Sequence, residues 1–86
     1  MRKIEQVMIA AIRAGTEFRS GNTKVFRADP NTFEVYLHSN LIAWVTHGVF
    51  NSGWRVDINH RVYDRFPTRT TKSRLQALLQ EFRHAY

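Results

Sequence analysis

The 86-residue chain carries 13 lysines and arginines against seven aspartates and glutamates, a formal net charge of +6. Its 43% hydrophobic and 13% aromatic content is that of a folded chain rather than a disordered one, and its length predicts a single domain, residues 1–86. The absence of cysteine excludes disulfides and thiolate metal sites, and no apolar run approaches the length of a membrane span.

An amphipathic helix is predicted near the N-terminus. Apolar residues recur there at helical spacing, namely Ile4, Val7, Met8, Ala11 and Ile12. Gly15 follows a cation in the last turn and is a typical helix stop. Residues 15–23 are predicted to form a loop and residues 24–28 a short strand.

Residues 32–47 are predicted to form a β-hairpin closed by Ser39 and Asn40. In this register position 38 pairs with 41, 37 with 42, 35 with 44, and 33 with 46. The pairing gathers one apolar face from Phe33, Val35, Leu37, Ile42 and Trp44, and a slip of one residue would scatter it. The opposite face is mixed in character, and it offers a possible protein-contact surface made of Tyr36, His38, Val45 and His47.

The remaining elements are a strand and a final helix. Residues 54–59 alternate between apolar and polar side chains, which predicts a strand, and residues 60–67 are predicted to be irregular. The last helix presents a stripe of Leu75, Leu78, Leu79, Phe82 and Tyr86. The whole order predicts an α+β fold: an N-terminal helix, an antiparallel β-meander of three to four strands and a C-terminal helix, with the helices packed on one face of the sheet.

Positive charge is concentrated in residues 55–74. This segment holds six cations and two carboxylates, a net +4, whereas residues 35–54 contain no Asp, Glu, Lys or Arg. Such asymmetry favours an acidic partner, of which nucleic acid is the first candidate.

The stretch PTRTTKSR, residues 67–74, places cations where a helix begins, although helix N-termini favour carboxylates. Thr70 or Thr71 can cap the helix, but a cap needs neither several hydroxyls nor any cation. An anion would use both kinds of group. The candidate anion or nucleic-acid site is therefore Arg65, Arg69, Thr70, Thr71, Lys72, Ser73 and Arg74. Two purely structural roles for these cations stay open: they are solvated on a capped helix, or they contact Asp57 or Asp64 internally.

The sequence contains no pattern that predicts an enzyme. His38, His47, His60 and His84 lack metal-ligand spacing, and phosphate-binding, dinucleotide-binding and zinc-protease motifs are absent. We therefore expect neither catalysis nor a cofactor or metal.

Two segments together resemble a family of small uncharacterised tailed-phage proteins. YLHSNLIAWV and PTRTTKSRLQALL are similar to the patterns L-H-G-N-x-I-A and T-x-T-T-K-x-R-L-N-A-L, with departures at Ser39 and Gln76. The resemblance implies expression in a bacterial host cytoplasm during infection. It implies no activity, but small proteins of this kind often bind host machinery or phage nucleic acid.

The leading hypothesis is a non-enzymatic phage accessory protein whose 55–74 segment binds a nucleic acid backbone. One alternative is a modulator of a host polymerase, nuclease or defence complex that uses the uncharged 35–54 hairpin. Another is a small-nucleotide sponge that uses the Thr/Arg/Lys segment. No membrane partner is expected.

Overall fold

The computed structural model describes residues 1–48 and 53–82, and within them the chain forms a meander sheet with helices on one side. The elements are α1 (Lys3–Ala14), β1 (Phe18–Ser20), β2 (Thr23–Asp29), β3 (Thr32–Leu37), β4 (Asn40–His47), β5 (Trp54–Ile58), α2 (His60–Arg65) and α3 (Arg69–Phe82). The strands pair antiparallel in the order β1-β2-β3-β4-β5. The α+β class and the helix–meander–helix order are confirmed.

The described sheet has five strands rather than three to four. The additional strand, β1, lies within residues 15–23, which were predicted to be a loop, and it pairs with the start of β2 through Phe18 and Val25. A second difference is α2, which occupies most of the segment predicted to be irregular. Both elements are short, so neither contains enough periodic residues for a pattern to emerge.

The buried side of α1 is rotated from the predicted stripe. Its buried residues are Glu5, Met8, Ile9 and Ile12, whereas Val7 is 45% exposed. The helix ends at Gly15 as predicted, in the left-handed conformation with φ of 77°. A carboxylate thus takes a core position that the apolar pattern had assigned to its neighbours.

The hairpin of β3 and β4 turns one residue earlier than predicted. Leu37 pairs with Asn40 and Tyr36 with Leu41, so the two turn residues are His38 and Ser39, with φ of 52° and 67°. Positive φ at both positions is the requirement of a type I′ turn, whose twist matches that of the strands. The predicted turn and register are therefore wrong.

A β-bulge in β4 accounts for the rest of the register error. Val35 pairs with Ala43 and the next residue, Tyr36, pairs with Leu41, which leaves one extra residue in β4. Ile42 and Ala43 are consequently both buried, and beyond the bulge the alternation of β4 is reversed. Trp44, predicted in the core, lies on the opposite face, while Val45 is fully buried.

The helices cover one face of the sheet and leave the other uncovered. The core joins Met8, Ile12, Leu75, Leu78 and Phe82 to Val25, Phe33, Val35 and Val45 of the sheet. We call the uncovered side the open face; its residues, placed there by strand alternation and pairing, are Arg19, Lys24, Phe26, Glu34, Tyr36, Leu41, Trp44, Thr46, Arg55 and Asp57.

The C-terminal helix packs on the sheet much as its pattern predicts. Leu75, Leu78 and Phe82 are buried, and the Phe82 ring lies 4.9 Å from that of Trp54 on β5. Leu79 is only half-buried, and the predicted contribution of Tyr86 lies outside the described residues. Packing of the helices on one face of the sheet is confirmed.

Candidate functional site

The start of α3 is capped by Thr68, not by Thr70 or Thr71 as predicted. The backbone N–H of Thr71 donates to Oγ1 of Thr68 over 3.1 Å, and the two hydroxyls are hydrogen-bonded to each other at 2.9 Å. Thr71 is 2% exposed. Its hydroxyl is therefore occupied within the protein and does not face a partner.

Ser73 and Arg74 point into the protein, toward Glu5 of α1. Oε2 of Glu5 accepts from Oγ of Ser73 at 2.6 Å and from Nη1 of Arg74 at 2.7 Å. Nε of Arg74 donates to Oγ1 of Thr23 at 3.1 Å, and the backbone N–H of Arg2 donates to Oε1 of Glu5. We call Glu5, Thr23, Ser73 and Arg74 the buried polar cluster. It connects α3 to both α1 and the sheet.

The buried polar cluster supplies the internal partner that the sequence had suggested in Asp57 or Asp64. Glu5 and Arg74 are 1% and 3% exposed, so the Arg74 guanidinium is already matched and is not accessible to a phosphate. Asp57 instead accepts from Nε of Arg55 at 3.1 Å. Glu5 was missed because of its charge; its spacing of three, four and seven residues from Met8, Ile9 and Ile12, which share its buried side of α1, was the available signal.

The environment of Glu5 shifts its pKa downward. Burial alone would raise the pKa, but hydrogen bonds from Ser73, Arg74 and the Arg2 backbone, together with the charge of Arg74, hold it below the ordinary value of 4.5. The ionised form is the one that the fold stabilises.

Stability is therefore expected to fall in acid. Because the pKa of Glu5 is lower in the folded than in the unfolded state, the unfolded chain binds more protons, and stability rises with pH. The contribution of Glu5 is complete above about pH 4.5 and is lost as pH falls through the folded-state pKa. Urea unfolding at pH 7, 5, 4 and 3 measures it. The Glu5→Gln variant should show a shallower acid loss, whereas Glu81→Gln, at an exposed ion pair with Arg13, should follow the wild type. Equal slopes for all three proteins would contradict this account.

The remaining cations of the segment are exposed on two helices that follow one another in the chain. Arg61 and Arg65 are four residues apart on α2, Arg69 and Lys72 are three apart on α3, and all four are exposed. Such spacings place the members of each pair on one side of their helix. Among the described residues, none of the four has a carboxylate within 4.0 Å, in contrast to Arg13, Arg55 and Arg74. We call these four residues the α2–α3 basic surface.

The predicted anion site is thus divided by the structure. Arg65, Arg69 and Lys72 remain exposed, Thr70 is half-buried, and Thr71, Ser73 and Arg74 are bonded internally. Arg61 joins the exposed group although the sequence motif did not include it. Whether an anion binds here stays a prediction.

The predicted protein-contact face does not exist as one surface. Val45 is buried in the core, and His47 stacks on Trp54 on the covered side, with ring centroids 4.5 Å apart. Tyr36 lies on the open face, and His38 lies in the turn, where its Nε2 is 3.3 Å from Nδ2 of Asn22. The error follows from the bulge in β4, which was not visible in the alternation.

Neither a metal centre nor a membrane span is found in the part of the chain that the structure describes. No group of three or more His, Asp or Glu side chains converges there. No described helix is both long and apolar enough to cross a bilayer.

Comparisons with known proteins identify a family. No curated protein and no solved structure matches the chain. The family model described as Kyanoviridae Gp96 protein matches residues 1–86, which supports the resemblance to a phage protein family. The chain therefore belongs to the Kyanoviridae Gp96 protein family.

Proposed function

We propose that this protein is a non-enzymatic phage accessory protein that binds the backbone of nucleic acid through the α2–α3 basic surface. The observation that supports the proposal most directly is the concentration of four exposed cations without a described carboxylate partner. Neighbouring like charges repel one another, and Asp64, the carboxylate of α2, forms no ion pair with them within the described residues. The phosphates of a polyanion offset this repulsion by their charge, and the release of counterions from the polyanion drives binding.

The arrangement favours contact with phosphates rather than recognition of sequence. An arginine guanidinium can donate two hydrogen bonds to one phosphate, and Lys72 adds a further positive charge. The surface is made of side chains on two helices joined by residues 66–68 only. Contacts of this kind position nucleic acid without reading bases.

The proposal is tested by the salt dependence of binding to a labelled oligonucleotide. Four phosphate contacts predict a slope of log K against log salt of about −2.8 for a single strand and about −3.6 for a duplex. The double variant Arg65→Gln/Arg69→Gln should reduce the magnitude of the slope by about 1.4–1.8, since two contacts are removed. Binding that is absent, or that does not depend on salt, contradicts the proposal.

A second double variant separates a surface effect from net charge. Arg2→Gln/Lys3→Gln removes the same charge from exposed residues at the start of α1, and it should change the slope much less. If both double variants weaken binding equally, the α2–α3 basic surface is not the contact. Competition by a mononucleotide at stoichiometric concentration would instead favour a small-nucleotide sponge.

A further inference from the structure

The open face of the sheet carries three aromatic side chains on three adjacent strands. Phe26 of β2 and Trp44 of β4 both pair with Glu34 of β3, and Tyr36 follows on β3 in the next row. Phe26 is 42% exposed, and Tyr36 and Trp44 are partly exposed. Flat rings on a pleated surface are the platform on which unpaired bases stack.

The Lys24 side chain extends over two of these rings. Nζ of Lys24 lies 5.8 Å from the ring centroid of Phe26 and 5.9 Å from that of Tyr36. Arg19 is the cross-strand neighbour of Lys24. A base stacked on either ring would therefore place its phosphate near a positive charge.

The carboxylates of this face are already engaged. Glu34 accepts from Oη of Tyr36 at 2.8 Å, which fixes the tyrosine ring, and Asp57 accepts from Arg55. Arg55 offsets the charge of Asp57, whereas Glu34 keeps its negative charge. With Arg19, Lys24 and Arg55 against Glu34 and Asp57, the open face carries three positive and two negative charges, a net +1.

One end of the open face deepens into a cleft of about 550 Å³ between the β1–β2 and β3–β4 turns. Its lining includes Arg19, Asn22, Lys24, Tyr36 and His38, and it contains no carboxylate. The cleft thus combines two cations, an aromatic ring and polar side chains that can hydrogen-bond to base edges. These groups can contact a phosphate, the face of a base and the edge of a base.

The β3–β4 turn at the end of the cleft also borders α2. His38 also lines a smaller apolar depression with Val62, Phe66 and Thr68, which belong to α2 and the connection to α3. The β3–β4 turn therefore lies between the cleft and α2.

We infer that the open face binds unpaired bases, so that the nucleic acid held by this protein is single-stranded. The inference rests on the proposed function and deepens it. Bases stack on Phe26, Tyr36 and Trp44, and the phosphates lie beside Lys24 and Arg19. A duplex keeps its bases stacked on one another and cannot offer their faces to these rings. A protein partner would also cover the rings, but it gives no reason for a cationic cleft that lacks a carboxylate.

The inference is tested by fluorescence anisotropy with a labelled thymidine oligonucleotide and a duplex of equal length. The single strand should bind more tightly at the same salt concentration. Phe26→Ala should weaken single-strand binding about 5- to 160-fold, as expected for the loss of one stacked base, and should leave duplex binding unchanged. Val7→Ala is the control, because Val7 is 45% exposed but lies on α1, away from the open face.

Tryptophan emission gives a second readout. Addition of the single strand should quench the emission of the wild type and quench the Trp44→Phe variant less, since Trp54 is on the covered face. Equal affinity for single strand and duplex, with no effect of Phe26→Ala, overturns the inference while the salt slope still supports the proposed function. If the wild-type protein binds neither the single strand nor the duplex, both the inference and the proposed function are overturned. A protein partner would then be the occupant of the open face.

Discussion

Replacing Glu5 with alanine is expected to lower the free energy of unfolding by about 3–5 kcal/mol. The substitution leaves the Arg74 guanidinium, 3% exposed, without the carboxylate that lies 2.7 Å away. A buried charge that loses its partner keeps its desolvation cost and has no compensation. Urea unfolding monitored by tryptophan fluorescence at pH 7 measures the loss.

The control for this prediction removes both charges. Glu5→Leu/Arg74→Leu eliminates the uncompensated ion, and replacement of a buried pair by apolar residues is often close to neutral. The double variant should therefore be more stable than Glu5→Ala. If the double variant is the less stable protein, the cost arises from lost packing rather than from an unpaired charge.

Replacing Phe82 with alanine is expected to cost about 3–5 kcal/mol, a large part of the stability of a domain of this size. Phe82 is fully buried, its ring packs on Trp54, and the Arg13 guanidinium lies 4.8 Å from its centroid. The substitution opens a cavity between α3 and β5 that the surrounding residues cannot fill completely.

Phe26→Ala is the matched comparison for Phe82→Ala. Phe26 lies on the open face, so its truncation removes little buried area and should change stability by less than about 1 kcal/mol. The two variants therefore separate stability from ligand binding. A similar loss of stability in both would show that the open face is covered in the folded protein.

The sequence predicted the fold where long periodic segments decide the structure. The α3 pattern of Leu75, Leu78 and Phe82 reports burial directly, because a helix has no register to adjust. The alternation of Trp54, Val56 and Ile58 likewise predicted β5, since both residues flanking the centre of the strand are polar. In such segments several apolar residues repeat at the same spacing, so the prediction does not depend on any single residue.

Prediction failed where one residue changes the phase of a strand. The bulge at Ile42 reverses the alternation of β4, and this moved Val45 into the core and Trp44 onto the open face. Nothing local distinguishes Leu41-Ile42-Ala43 from a regular strand, since all three are apolar. Because the bulge decides which residues of β4 lie on each side of the sheet, the residues of the open face could not be predicted from the sequence.

The candidate site was predicted in part for a different reason. Exposed cations on one segment are visible in composition, so Arg65, Arg69 and Lys72 were identified. The engagement of Arg74 by Glu5 depends on two residues 69 positions apart, and no local pattern carries such a contact. Lys24 and Phe26 were missed because their neighbours on the open face belong to adjacent strands of the sheet.

The long separation of Glu5 and Arg74 also determines the order in which this protein can assemble. Each strand of the meander pairs with the next strand in the chain, so the sheet closes through short loops at little entropic cost. The α1 carboxylate, in contrast, has to wait for the last helix to be synthesised. A nascent chain that lacks α3 can pair its strands, but its Glu5 carboxylate has no Arg74 to accompany it into the core. We therefore expect α1 to pack on the sheet only after α3 has been synthesised.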